Sequence, residues 1–579
     1  MKIVYTRRIS QIFFFTLFVL FCIVTTVGDK LWQLRGWPVN WFLQLDPLAA
    51  VGTILTTHTL YWPLLWALVT VVLTIIFGRF FCGWVCPFGS IHHFTGFLAN
   101  RTKKTSEKIQ LNKYQNAQCI KYFLLIAFLF MAAFPSLAAT LQTGLLDPIP
   151  LVSRSFNLVL LPIFDNSTSF TSIMKRFYEG AWLIFAIFLA AILLNLFIPR
   201  FYCRFICPLG ALFGIIDRFA VWRIGKKAKE CINCKLCECY CEGGCEPAGN
   251  MRISECVLCF NCLDICKDDL IAYQTVPSSA GEIVNPDISR RGFVLSLAGG
   301  FLAVPAMRLS NKLGGNWHHS VIRPPGSLAE AEFLKRCIKC GQCMRICPTN
   351  VIQPAGIEGG LENLWTPVLN NRIGSSGCQL NCAACGWVCP TSAIRPITLD
   401  EKHGRGLFAA AGPIRLGTAF LDRNRCLPWS MNKPCIVCEE NCPVSPKAIY
   451  VNEHFDTIRD GVLTIKKATD RMIETVESAM VSGKFATGDY YCAIQGYERK
   501  KITANTENSI EISGSEKFVE IPAGGSKIEI QVRLQRPFVD IEKCIGCGIC
   551  EHECPVSGIK AIRVSPEGET RSVDRKLLV

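Results

Sequence analysis

Cys337-Ile338-Lys339-Cys340-Gly341-Gln342-Cys343-Met344-Arg345-Ile346-Cys347-Pro348 sets four cysteines in the order C-x2-C-x2-C-x3-C, with proline directly after the last. Three thiolates at that spacing wrap one [4Fe-4S] cluster, and the fourth usually ligates a neighbouring cluster. The same phrase returns near the end of the chain as Cys544, Cys547, Cys550 and Cys554 before Pro555. Four further runs surround these two: Cys231, Cys234, Cys237 and Cys241; Cys256, Cys259, Cys262 and Cys266; Cys378, Cys382, Cys385 and Cys389; and Cys426, Cys435, Cys438 and Cys442. Six runs imply about six [4Fe-4S] clusters, four of them in the C-terminal region.

The chain holds 33 cysteines in 579 residues. Disulfide frameworks belong to short secreted domains that lack a core, whereas this chain has length for several domains. A zinc ribbon would need only separated C-x2-C pairs and leaves the third and fourth cysteines unexplained. The longer first gaps of the Cys378 and Cys426 runs alter the loop around a cluster without removing a ligand. Cross-ligation in the first pair of runs lets Cys266 complete one site. For the other, Cys245, followed by Glu246-Pro247, competes with Cys241.

Residues 1–222 read as a four-span membrane domain. Apolar stretches near 9–27, 61–77, 120–139 and 181–198 are long enough, with tilt, for a hydrocarbon core of about 30 Å. Lys2, Arg7 and Arg8 precede the first stretch, six basic residues from Arg79 to Lys113 separate the second from the third, and seven from Arg200 to Lys229 follow the fourth. The positive-inside rule then puts the N-terminus in the cytoplasm, and the net charge of +15 reflects topology rather than nucleic acid, for which no recognition motif is present.

An internal repeat runs through this domain. Leu45-Asp46-Pro47-Leu48 is echoed by Leu146-Asp147-Pro148-Ile149, and Arg79-Phe80-Phe81-Cys82-Gly83-Trp84-Val85-Cys86-Pro87 by Arg200-Phe201-Tyr202-Cys203-Arg204-Phe205-Ile206-Cys207-Pro208. On a continuous helix each i, i+4 cysteine pair shares one face. A pseudo-symmetric pairing of Cys82, Cys86, Cys203 and Cys207 then offers an additional thiolate metal centre, set against small packing residues at a proline-terminated helix.

Residues 223–287 form a cytoplasmic two-cluster domain. Ser289-Arg290-Arg291-Gly292-Phe293-Val294 opens a short, moderately apolar stretch that reads as an internal twin-arginine signal or fifth span over 288–311. Residues 312–579 follow as a periplasmic four-cluster domain. It carries an insertion at about 450–537, where Ile510-Glu511-Ile512 and Lys527 to Val532 alternate as half-buried strands and Cys492 is a packing residue. The fold class is therefore multidomain: an α-helical membrane domain of repeated two-span units plus α+β bacterial-ferredoxin-like domains.

No Walker A loop, nucleophile elbow or dinucleotide fingerprint occurs. Haem is a poor candidate for a bridge across the membrane, because His58, His92 and His93 are expected in loops or at helix ends and no C-x-x-C-H exists. His318 and His319 read as exposed loop residues. A bare core of about 30 Å is too wide for one useful electron hop, so a bound quinone, the four C-x3-C-P thiols, or both must bridge it.

The runs at Cys337 and Cys435, with Leu364-Trp365-Thr366-Pro367-Val368 and Cys426-Leu427-Pro428-Trp429, resemble the NapG/MauM ferredoxin-type proteins. The N-terminal half, with its two C-x3-C-P phrases, is similar to NapH/MauN. The resemblance to a fusion of the two implies a quinol dehydrogenase component at the inner membrane. It would draw on the quinone pool, within a membrane complex, and supply a periplasmic reductase or cytochrome c, with nitrate and nitrous oxide systems both compatible. An accessory role in assembling or reactivating a periplasmic metalloenzyme uses the same parts at lower flux.

Overall fold

The computed structural model describes residues 3–26, 34, 36–134, 140–168, 175–228, 231–232, 234–266, 269–313, 321–357, 360–513 and 518–572. His318 and His319 lie outside them. Two compact units result, one of residues 1–375, 381–414 and 571–573, the other of 376–380, 415–570 and 574–579.

The first unit is built on apolar helices. Ile3–Val24 and Thr105–Ala133 are long and apolar enough to cross a membrane. The other two expected spans form helices Trp62–Phe77 and Ala181–Leu196, about 24 Å long at ~1.5 Å rise per residue. Between them lie short helices whose starts are written in the repeat. Asp46 caps Pro47–Thr57 by accepting from Leu48 and Ala49 N–H, and Asp147 caps Pro148–Ser155 through Ile149 N–H. Proline at the first helical turn needs no N–H partner, so Asp-Pro is a strong start signal.

Two cluster-bearing modules sit at opposite ends of this bundle. Helix Ile120–Ala133 measures the separation. Lys121 and Tyr122 at its start bond Glu255, while Leu141, just past its end, donates its N–H to Leu334 O. The first module pairs strand Arg223–Lys226 with Ile271–Gln274, and the second pairs Ile352–Pro354 with Pro367–Leu369, both antiparallel. Helix Arg290–Leu313 joins them. It packs along Ile120–Ala133 in the same direction, with Gly292 against Phe123, Gly300 against Ala127 and Phe301 against Phe134.

In the second unit, Thr418–Leu421 pairs with Ile562–Ser565 beside the remaining cluster runs. The expected insertion is a closed barrel of six strands in the order Tyr490–Ile494, Lys500–Asn505, Ser509–Ile512, Met472–Thr475, Ile449–Ala468 and Lys527–Val539. Ile528, Ile530, Val532 and Leu534 alternate into its interior, and Cys492 is buried in the same core.

Candidate iron-sulfur and thiol sites

Within three of the four-cysteine loops the residues flanking the second cysteine take positive φ: Lys339 and Gly341, Leu258 and Phe260, Gly546 and Gly548. Left-handed backbone there turns successive N–H groups inward. Lys339 N–H and Gln342 N–H reach the sulfurs of Cys337 and Cys340, Asn261 N–H that of Cys259, and Gly546 and Ile549 N–H those of Cys544 and Cys547. Such donors stabilise thiolates and tune cluster potential. The lengthened loops lack this feature: Ala383 and Ile436 have negative φ, at −133° and −130°.

Three pockets are each lined by four cysteines and mainly apolar side chains. Cys337, Cys340 and Cys343 face Cys389. Cys426, Cys435 and Cys438 face Cys554. Cys544, Cys547 and Cys550 face Cys442. In every case the fourth thiol comes from another run, as the spacing predicts. Among the described residues, no three His, Cys, Asp or Glu side chains converge on a single ion, whereas a zinc site would draw sulfurs to about 2.3 Å from one point. Four thiols and backbone N–H donors around one mainly apolar pocket fit a cluster. Cys378 belongs to the second unit, where its N–H bonds Cys547 O, while Cys347, Cys382 and Cys385 fold with the first.

The N-terminal runs are less closed. Cys231 and Cys234 are exposed, and Cys237 lies within electrostatic reach of Cys266. Cys241 and Cys245 are both buried, Cys245 N–H donates to the Cys241 sulfur at 3.2 Å, and the Cys245 thiol bonds Cys256 as well. Cys245 thus meets Cys256, and Cys241 lies within electrostatic reach of Cys259 and Cys262.

The two C-x3-C-P phrases come together, by a route different from the expected single helix. Helices Phe80–Trp84 and Phe201–Phe205 hold Cys82 and Cys203 and then stop, because a residue before proline is barred from helical backbone. Cys86 and Cys207 instead cap the next helices, Pro87–Asn100 and Pro208–Ile216, their sulfurs accepting Gly89 and Gly210 N–H at 3.4 and 3.1 Å. All four thiols remain within electrostatic reach of one another. Cys86 and Cys207 share one buried core with Ile338 and Cys340.

Glycines dock the modules on either side of these thiols. A Cβ on Gly83 would lie 2.2 Å from Val257 O, and one on Gly144 would lie 2.1 Å from Ile338 O. Trp84 Nε1 donates to Leu258 O at 3.1 Å, and Arg154 donates to Lys339 O at 3.0 Å while its guanidinium lies 4.3 Å over the Trp365 ring. Arg345 and Asp165 pair at 2.9 Å with both side chains fully buried. Sequence reading passed over these residues because Gly83 corresponds to Arg204 and Gly144 to Leu43 in the repeat, so each departs from it.

His92 and His93 are not in a loop or at a helix end. They lie inside Pro87–Asn100 and are largely buried, a placement that the helix start at Pro87 signals. His93 Nδ1 meets Glu242 Oε1 at 2.8 Å, and Arg200 Nε donates to Glu242 Oε2 at 2.6 Å. Burial alone would push Glu242 up, but His93, Arg200 and Arg7 hold it well below the usual carboxylate range. Burial also lowers His93, so the two arginines supply the positive charge of this network.

Residues 59–105 and 180–227, which contain both C-x3-C-P phrases, match a 4Fe-4S binding domain, and residues 334–353 and 535–556 match two further 4Fe-4S binding domains. The chain therefore carries several 4Fe-4S binding domains. An uncharacterised protein of Methanocaldococcus jannaschii is 27% identical over 206 residues, 36% of this chain and 68% of its own length. The regulatory protein NosR of Stutzerimonas stutzeri is 27% identical over 240 residues, 39% of this chain but 30% of NosR. The ferredoxin-type protein NapH of Escherichia coli is 26% identical over 256 residues, 41% of this chain and 77% of NapH. No solved structure matches.

Proposed function

We propose that this chain is a membrane-bound electron carrier that oxidises quinol and passes electrons, one at a time, to a periplasmic reductase system of the nitrate or nitrous oxide type. In this reading it is a natural fusion of a NapH/MauN-type membrane protein with a NapG/MauM-type periplasmic protein. Residues 223–287 face the cytoplasm and the portion beyond 311 faces the periplasm. The parallel course of Arg290–Leu313 and Ile120–Ala133 supports this topology, since both start beside the first cluster module and end beside the second.

The observation that carries the proposal is the single core shared by Cys86, Cys207 and Cys340. A cluster on Cys337, Cys340, Cys343 and Cys389 would sit against the helical domain, and the four C-x3-C-P thiols would lie between it and the clusters of residues 223–287. When bound, these groups supply one-electron transfer; the chain supplies ligands, N–H donors and a dry path between them. Mixing anaerobic, oxidised protein with a quinol in a stopped-flow instrument should bleach the cluster absorbance within a single turnover. Bleaching by dithionite but by no quinol would refute the donor assignment.

A further inference from the structure

A cavity of about 450 Å³ lies between helices Ile3–Val24 and Pro87–Asn100. Ile12, Phe94 and Phe97 wall it, and its few polar groups include Gln11, Ser90 and His93. That volume and that mixture suit a small ring compound with a hydrocarbon tail. Ile12 and Phe94 are themselves 67% and 63% exposed on an apolar face, where a tail can continue into lipid. The floor is tied to the redox thiols: Gln11 Nε2 donates to Gly83 O at 2.8 Å and Ser90 Oγ to Cys86 O at 3.2 Å. An occupant therefore meets two side chains, Gln11 and Ser90, that are bonded to the backbone of the Cys82 to Cys86 phrase.

His93 also lines a second, polar cavity of about 330 Å³, together with Lys108, Arg200 and Glu242. Arg7 approaches His93 Nε2 at 3.1 Å. An arginine can only donate, so Nε2 is the bare nitrogen and Nδ1–H points to Glu242. The histidine thus borders both an apolar cavity beside thiols and a polar one, with its acceptor nitrogen held by Arg7.

We propose that the cavity between Ile3–Val24 and Pro87–Asn100 is the quinol site and that His93 is its proton acceptor; this rests on the quinol reading above and gives that reading a place. Each quinol becomes quinone by losing two electrons and two protons. The electrons leave singly past Cys82 and Cys86, so that two oxidised [4Fe-4S] clusters each take up one. The protons leave in turn: a quinol hydroxyl displaces Arg7 and protonates His93 Nε2, Glu242 holds the imidazolium at Nδ1, and the proton passes to water in the polar cavity before the second follows.

The test uses the full chain in lipid nanodiscs, with a short-tailed naphthoquinol and a short-tailed benzoquinol as donors. Quinone retained per chain is measured by solvent extraction, and cluster reduction by stopped-flow absorbance. Ile12→Trp should fill the cavity, lowering both retained quinone and the rate of reduction by quinol at least tenfold, with dithionite-reducible clusters unchanged. Phe94→Ala, on the facing wall, should lower retention in the same direction and guards against misfolding of the first variant. His93→Gln keeps a hydrogen bond to Glu242 but accepts no proton, so it should retain quinone at the wild-type level and be reduced at least tenfold more slowly. Wild-type retention and rate in both cavity variants would move quinol elsewhere and leave the donor reading intact. A wild-type rate in His93→Gln would remove His93 from the proton route. A wild-type chain that neither retains nor is reduced by either quinol would overturn the donor reading itself.

Discussion

At the level of single residues, the thiols of the C-x3-C-P phrases and the docking glycines carry separate burdens. Replacing Cys82, Cys86, Cys203 or Cys207 by serine should leave the ligands of the three four-cysteine cavities in place, because they belong to other elements. Reduction by quinol should nonetheless slow, since a neutral hydroxyl does not replace a thiolate at a redox site. A metal centre on the four thiols would show as a spectroscopic signal lost in every single variant, and unchanged reduction rates in all four would reassign them to packing. Gly144 tests the docking itself. With Ile338 O where its Cβ would stand, Gly144→Ala forces backbone apart at a cost of about 1–3 kcal/mol and should lower the thermal midpoint. Gly299, whose Cβ would meet nothing within 4 Å, is the control; there alanine should be neutral or stabilising by up to about 1 kcal/mol.

Among elements, the barrel is the clearest separable piece. Its first and longest strand begins at Ile449 and its last ends at Val539, and these two residues are partners across the ladder. Tyr450 and Phe538 stack there with ring centroids 5.7 Å apart. An insertion whose ends already meet can be removed without stretching its host. Replacing residues 453–535 by Asn-Gly would join Asn452 to Arg536, which are also partners, through a turn that suits a two-residue hairpin. Iron content of the second unit should remain at its wild-type value, as measured by iron per chain. A loss of about eight iron atoms, two clusters' worth, would show that the barrel is required for those sites to form.

For the molecule as a whole, the cluster count is the quantity to check. Anaerobically purified chain should carry about 24 iron atoms, four for each of six clusters. Values near half of that after full reconstitution would leave one set of runs without clusters. Much of this picture was legible in the sequence. Ligand spacing is local and covalent, so the runs at Cys337 and Cys544 identified their loops before any fold was known, and alternation marked Ile510 to Ile512 and Lys527 to Val532, which lie in strands Ser509–Ile512 and Lys527–Val539. Asp-Pro and Cys-Pro open helices in the structure, whereas the sequence reading took Cys-Pro as a helix end; proline restricts its neighbour and suits the first helical turn. What the tertiary structure alone decided is how closely both cluster-bearing modules approach the C-x3-C-P thiols. Sequence reading set the two cluster groups on either side of a bare hydrocarbon layer, but Gly83 and Gly144 admit backbone from both modules into direct contact with the helices, and Cys340 joins the core of Cys86 and Cys207. Neither glycine has a local signature, because what makes each necessary is a carbonyl from residues distant in the chain, at Val257 and Ile338. The same holds for His93, whose pairing with Glu242 depends on the first cluster module folding back over the helix that carries it.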